Sequence, residues 1–480
     1  MQPKFLMIGL DGFRPDFLSP ELTPNILRLA ARGVRFASHR SAFPSETRVN
    51  LISIATGSYP QRHGIVANRY YDPQVLADRW FDTALYAHLL AGEAQSPGGL
   101  VGATSLGEVL AQHGRCMAVI ATGSEGSSRM KHHKADLLPH FSFSCHYPAL
   151  SRPVAATQEV IRRLGPPPPY RVPEHATVTY ATDVFLHYAW PELQPDLTIL
   201  WLVEPDTAYH YKGLQHTETD QAVATVDRQV GRILDWWESH PEVQLLVVSD
   251  HGHVRQRHKV SVLQELSAAT GLNIAEQPGS DADAVLDASY LCALSVRDRR
   301  SDVAHRLARA LQAQPWLGAL LARRDLEISG ALAQDLALVD HPRAPDLFFT
   351  LRNEEAADDG GRPGICWYDG DLAEGAGNHG GLNPRELASL GIAAGSLFRQ
   401  DLVSTVPSGV VDWAPTMLAG LGLPRPASMQ GRVLREALQD GGSPGAVEEE
   451  SFTAAAGRYR QELKRWRVGG TTYLQGAWRR

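Results

Sequence analysis

Apolar residues along the chain gather in short blocks closed by turn-forming or acidic residues: Phe5 to Leu10, Met117 to Ala121, Leu197 to Val203, Leu245 to Ser249 and Leu347 to Leu351. Blocks of that length, without polar alternation, suit strands buried on both faces. Between them, Thr23 to Gly33, Thr217 to Trp237 and Asp412 to Gly420 carry helical spacing. Strands alternating with helices predict an α/β fold with a largely parallel sheet.

The pattern is interrupted from Val254 to Pro345, where a strand-like run (Ala288 to Val296) and an amphipathic stretch (Asp302 to Gln314) predict a small inserted α+β cap. The expected organisation is a catalytic core over 1–253 and 346–440, the cap over 254–345, and a polar, then basic, extension over 441–480 read as a solvated helix. Pro166 to Pro169 predict a rigid loop. Arg129, Lys131, His132, His133 and Lys134 read as a solvated basic loop.

In parallel sheets, ligands collect where strands end at their carboxyl side. Three blocks end in acids there: Asp11-Gly12, Glu204-Pro205-Asp206 and Asp250-His251. Asp206 and His210, four apart, share a face if a helical turn opens at Asp206. His379 lies in Gly375 to Asn383, a glycine-rich loop that offers it no core face. Asp11, Asp206, Asp250, His210, His251 and His379 together make a mixed nitrogen and oxygen donor set, which suits zinc and disfavours calcium. Two ions about 3.5–4 Å apart could clamp the attacking and leaving oxygens of a phosphoryl transfer. A nearby hydroxyl would serve as nucleophile, and Ser41 to Asn50 supplies Ser45 and Thr47.

The same residues resemble the alkaline phosphatase superfamily, in its type I phosphodiesterase/nucleotide pyrophosphatase branch. The resemblance is carried by Asp11-Gly12-Phe13, by Pro44, Thr47 and Asn50, and by Thr56 to Ile65. Glu204 to His210, Ser249 to Gly252, Gly377 to Gly380 and the late block Asp412 to Thr416 complete it. It implies a three-layer α/β/α sandwich with a mostly parallel central sheet. It also implies two Zn2+ ions, with Mn2+ allowed in one site: Asp206, His210 and His379 on one, and Asp11, Asp250, His251 and Thr47 on the other. Thr47 would then be the nucleophile, forming a phosphothreonine that water hydrolyses, and Asn50 would donate to a phosphoryl oxygen. Arg48 departs from the Phe common after the nucleophile and is a candidate substrate-binding residue. The implied reaction is hydrolysis of phosphodiester or nucleotide pyrophosphate bonds. Cleavage of a carbon–phosphorus bond, as in phosphonoacetate hydrolases, and phosphomonoester hydrolysis are the alternatives, and a metal-binding scaffold without activity is the non-enzymatic one.

Composition narrows the partners. The formal charge of −7 gives no general attraction to nucleic acid or to anionic lipid, so a small-molecule phosphate or phosphonate ester is the expected substrate. A homodimer is compatible with the sequence. Four dispersed cysteines suggest free thiols rather than a disulfide framework. The first apolar run is too short for a signal segment, and no window is apolar enough to span a membrane, so a cytoplasmic location without membrane contact is expected.

Overall fold

A computed structural model of the chain describes residues 2–279, 281–357 and 362–480. Its centre is an eight-stranded sheet of β1 (Lys4–Leu10), β2 (Gly33–Phe36), β3 (Met117–Ala121), β4 (Phe141–Ser144), β5 (Leu197–Leu202), β6 (Val243–Val248), β7 (Gly391–Ala394) and β8 (Leu402–Ser404). The order across it is β8-β2-β7-β6-β1-β5-β3-β4. β7 runs antiparallel to β6 and β2, and every other neighbouring pair is parallel.

Successive side chains of a strand point to opposite faces, and β1 shows what this does here. Phe5 and Met7 enter one core with Ile199, Leu246 and Val248. Leu6, Ile8 and Leu10 enter the other with Leu200, Leu202 and Val247. The first core is covered by α1 (Thr47–Thr56), through Val49, Leu51 and Ile52. α2 (Asp206–Lys212) follows β5 directly, and α3 (Thr217–Trp237) covers the second core with Val223, Val226, Val230 and Ile233. The layers are those of an α/β/α sandwich, as expected.

Two expectations change. The run Leu347–Leu351 lies outside the central sheet; it pairs antiparallel with both Leu291–Val296 and Leu317–Ala322 inside a second, six-stranded sheet. A strand buried on both faces reads alike in either setting, so its composition did not reveal its sheet. Residues after Gly441 form no helix. Val447–Ala456, Tyr459–Val468 and Thr471–Arg479 make a three-stranded antiparallel sheet. Alternate apolar residues Leu463, Tyr473 and Ala477 face inward, while two of the arginines that gave the segment its basic look, Arg465 and Arg467, pair with Glu450 and Glu448 across the strands. The Ala477 N–H donates to the Leu382 carbonyl at 3.0 Å, joining this sheet to the loop that carries His379. Among the described residues no helix is long and apolar enough to cross a membrane.

Candidate metal centre

Because β6, β1 and β5 are adjacent and parallel, their carboxyl ends lie side by side, bringing Asp250-His251, Asp11 and Asp206 together. The backbone stitches the ends: Asp11 N–H donates to Leu202 O at 2.9 Å, and Asp206 N–H to Asp11 O at 3.1 Å. Asp206 opens α2, so His210 stands one turn above it, with Nε2 3.4 Å from Asp206 Oδ1. The chain leaving His253 forms Val254–Lys259, and Val254 and Arg255 pair with Asn378 and Gly377. That short pairing delivers His379 to the cluster, its ring stacked 3.7 Å from that of His251.

The imidazoles are oriented by backbone carbonyls. Nδ1 of His210 lies 2.8 Å from Gly377 O, Nδ1 of His379 2.8 Å from Ser45 O, and Nδ1 of His251 3.0 Å from Gly252 O. A carbonyl only accepts, so each Nδ1 carries the proton and each Nε2 presents a lone pair to the centre. Nε2 of His210 and Nε2 of His379 are 3.2 Å apart. Two lone pairs at that separation repel unless a cation lies between them. Asp250 points the same way: Oδ1 accepts from Gly12 N–H at 3.0 Å, while Oδ2 is buried without a partner, 3.4 Å from His251 Nε2. An orphaned buried carboxylate oxygen is costly unless a cation meets it. Donor atoms of Asp206, His210, His253 and His379 fall within 4.8 Å of one another, as do those of Asp11, Asp206 and His251. The residues present therefore fit a divalent metal, in two overlapping donor groups that share Asp206.

Protein charges alone leave this cluster strained. Burial, then repulsion from Asp250 and Asp206, raises Asp11 well above the usual carboxylate range, and burial pushes Asp250 up to about 7. Burial also acts to raise Asp206, but His210 and His253 outweigh it and hold that carboxyl well below its ordinary value. Burial and the neighbouring His251 and His253 hold His379 well below the ordinary imidazole value.

Thr47 begins α1, with Oγ1 3.1 Å from His251 Nε2 and 3.5 Å from Asp11 Oδ1. Ser45, the competing hydroxyl, is spent on the His379 loop, donating to Gly381 O at 2.9 Å and accepting from Gly380 N–H at 3.0 Å. Asn50 does not face the centre. Its Oδ1 accepts from Ala42 N–H at 2.7 Å and its Nδ2 donates to Pro44 O and Glu46 O at 3.1 and 3.0 Å, so it braces the segment before Thr47 and has no donor left for a phosphoryl oxygen. Asn68 is the amide that reaches the turn bearing Thr47. Its Oδ1 accepts from Arg48 N–H at 3.0 Å, and its Nδ2 donates to no described group. Its proximity comes from a loop return that spacing does not reveal.

Three more residues bear on the centre beyond the expected ligand set. His253 Nε2 is 2.9 Å from Asp206 Oδ1, and both atoms crowd Gly12, where a Cβ would come within 2.6 Å of that nitrogen. The Trp201 indole N–H reaches Asp11, and Lys131 Nζ lies 5.1 Å over the Trp201 ring while donating to Ser127 O at 2.6 Å. Lys131, His132 and Arg129 are thus buried, not solvated: Arg129 pairs with Asp136, and burial lowers Lys131 to about 7.

Thr47, Arg48, Asp206 and His210 open on a cavity of about 740 Å3. Pro167 to Pro169 with Tyr147, Tyr170 and Tyr211 also line it; among the described residues the expected cap supplies none of the wall. The proline loop expected to be merely rigid therefore bounds the cavity.

The family model described as type I phosphodiesterase/nucleotide pyrophosphatase matches residues 5–381. The chain belongs to this family. It is 26% identical over 257 residues to venom phosphodiesterase 2 of Crotalus adamanteus, covering 52% of this chain and 27% of that protein. It is likewise 26% identical over 259 residues to mouse ectonucleotide pyrophosphatase/phosphodiesterase family member 1, covering 52% and 24%. The matched stretch thus spans about a quarter of these relatives' length. Murine ectonucleotide pyrophosphatase/phosphodiesterase 5, solved as an inactive variant in complex with AMP, shares the fold, with a TM-score of 0.66 at 18% identity over 91% of this chain and all of that one.

Proposed function

We propose that this family member hydrolyses phosphodiester or nucleotide pyrophosphate bonds, with Thr47 as nucleophile. The observation that carries the reading is the convergence of three Nε2 lone pairs and three carboxylates beside the Thr47 hydroxyl. Asp206, His210 and His379 would hold one divalent cation, and Asp11, Asp250, His251 and Thr47 the other. The donor set suits zinc, with manganese admissible in one site. Such cations, when bound, neutralise charge on the phosphoryl group and lower the pKa of a nearby hydroxyl.

The chain's own residues divide the remaining work. Thr47 Oγ attacks phosphorus, the leaving oxygen departs with its electron pair, and water hydrolyses the phosphothreonine so formed. Thr47 is fixed at the start of α1, where the first-turn N–H groups other than that of Arg48, which Asn68 takes, favour an anion. Asn68 Nδ2 and the first-turn amides are the donors nearest the place where charge develops. Asp82 and Thr83 hold Arg48 beside them. The tyrosine and proline wall leaves room for a bulky leaving group, a nucleotide included, as the family name and the AMP complex of the structural relative suggest.

Purified protein with zinc should be assayed on bis(p-nitrophenyl) phosphate, p-nitrophenyl phosphate and phosphonoacetate. Turnover of the diester supports the leading reading, and turnover of phosphonoacetate alone would replace it with carbon–phosphorus cleavage. No turnover of any substrate by zinc-loaded protein would leave an inactive metal-binding scaffold.

A further inference from the structure

Arg48 follows Thr47 in the first turn of α1 and lines the same cavity. Its guanidinium is held on one side only. Nε donates to Thr83 Oγ1 at 2.8 Å, and Nη2 lies 3.5 Å from the Asn68 carbonyl and 3.6 Å from Asp82 Oδ1. Nη1 donates to no described group. The side chain is 17% exposed, so most of its surroundings are protein. Its charge interacts with Asp82 first, then with Glu46, and after them with Asp11 and Asp206 of the candidate centre.

An arginine fork matches two oxygens of a carboxylate or phosphate, and it keeps its proton. Here one carboxylate approaches one nitrogen at 3.6 Å, which leaves half of the fork for a ligand in the cavity. A diester phosphorus bears a single negative charge on its two non-bridging oxygens. A monoester or terminal phosphoryl group adds a third anionic oxygen, and a phosphonoacetate adds a carboxylate. We propose that Arg48 binds such an additional negative charge beside the scissile phosphorus, as a nucleotide pyrophosphate, a monoester or a phosphonoacetate carries, and so contributes more to turnover of these than to that of a simple diester. The inference rests on the phosphoryl-hydrolase reading, and its test separates the two.

Wild type, Arg48→Met and Arg48→Lys, each loaded with zinc, are compared on p-nitrophenyl phosphate, bis(p-nitrophenyl) phosphate and phosphonoacetate, and their affinity for inorganic phosphate is measured by calorimetry. Thermal melts establish that the variants fold. Arg48→Met is expected to lower kcat/KM on all substrates turned over, with the monoester-to-diester ratio falling a further 10- to 100-fold or so and phosphate binding weakening comparably. Arg48→Lys, a point charge without the fork, should recover part of each. Selective loss on p-nitrophenyl phosphate would locate the extra charge on phosphorus, and selective loss on phosphonoacetate would locate it on a carboxylate. If the ratio and the phosphate affinity both move by less than about threefold, a margin below 1 kcal/mol, the proposal is overturned. Should the wild type turn over nothing, the hydrolase reading fails, and the calorimetry still decides whether Arg48 holds the anion.

Discussion

The indole Nε1 of Trp201 donates to Asp11 Oδ2 at 2.8 Å, and its ring lies so close over Gly9 that a Cβ there would stand 1.9 Å from a ring carbon. Two adjacent strands thus fix one carboxylate: β5 supplies the donor and β1 supplies both the acid and the gap that admits the ring. With Oδ2 taken, Oδ1 is the oxygen left facing Thr47 and His251.

Trp201→Phe keeps a flat ring and removes the N–H. Partners of this kind typically contribute 10- to 100-fold in metal affinity. Chelator-competition titration should show one of two zinc ions weakened by about that range. Equal zinc affinities in variant and wild type would remove Trp201 from any role at the centre.

Thr47→Ala should abolish turnover, at least about 10³-fold in kcat, with zinc stoichiometry close to wild type. His379→Ala should instead lower bound zinc. Full activity in the first variant would move the nucleophile, and an unaltered metal content in the second would take His379 out of the ligand set.

The two asparagines should separate by readout. Asn68→Ala is expected to cost about 10²-fold in kcat, the size seen when one oxyanion donor is lost, with a thermal midpoint near wild type. Asn50→Ala breaks buried bonds to three backbone groups, costing about 1–3 kcal/mol, and should lower the midpoint clearly. The opposite assignment of effects would restore Asn50 as the phosphoryl donor.

The pH response follows from the raised carboxyls. Asp250 titrates at about 7 in the folded, metal-free protein against about 3.9 unfolded, so the folded state holds the extra proton and that stability is lost as pH rises between these values. Asp11 shifts in the same direction. A metal must displace those protons, so the gain in thermal midpoint on adding zinc should grow from pH 5 to pH 8. Asp250→Asn should flatten that growth; an identical slope in the variant would show that Asp250 does not meet the metal.

Much of the centre was readable because its residues sit where buried strands end. β1, β5 and β6 announced themselves by unbroken apolar runs, and in a parallel sheet their ends share one edge. His379 was readable from its glycine-rich loop. What escaped depends on side chains meeting across the fold. Asn50 and Asn68 are equally plausible donors in one dimension, and only the buried bonds of Asn50 decide between them. Trp201 reads as one more apolar strand residue until its N–H is seen on Asp11. The C-terminal segment misled because arginines paired across strands resemble those on a solvated helix. Leu347–Leu351 misled because burial on both faces does not say which sheet does the burying.

The C-terminal sheet has a consequence for how the protein is made. The loop bearing His379 is fastened at Leu382 by Ala477 of the last strand, and Tyr59, which packs in the core that α1 covers, donates its hydroxyl to Thr472 O. A chain still emerging from the ribosome can already hold His379 through Gly377 and Asn378 on Val254 and Arg255 and through Ser45, and lacks only the brace at Leu382. Residues 471–479, made after all of these, therefore buttress a loop that is already in place instead of delivering its histidine.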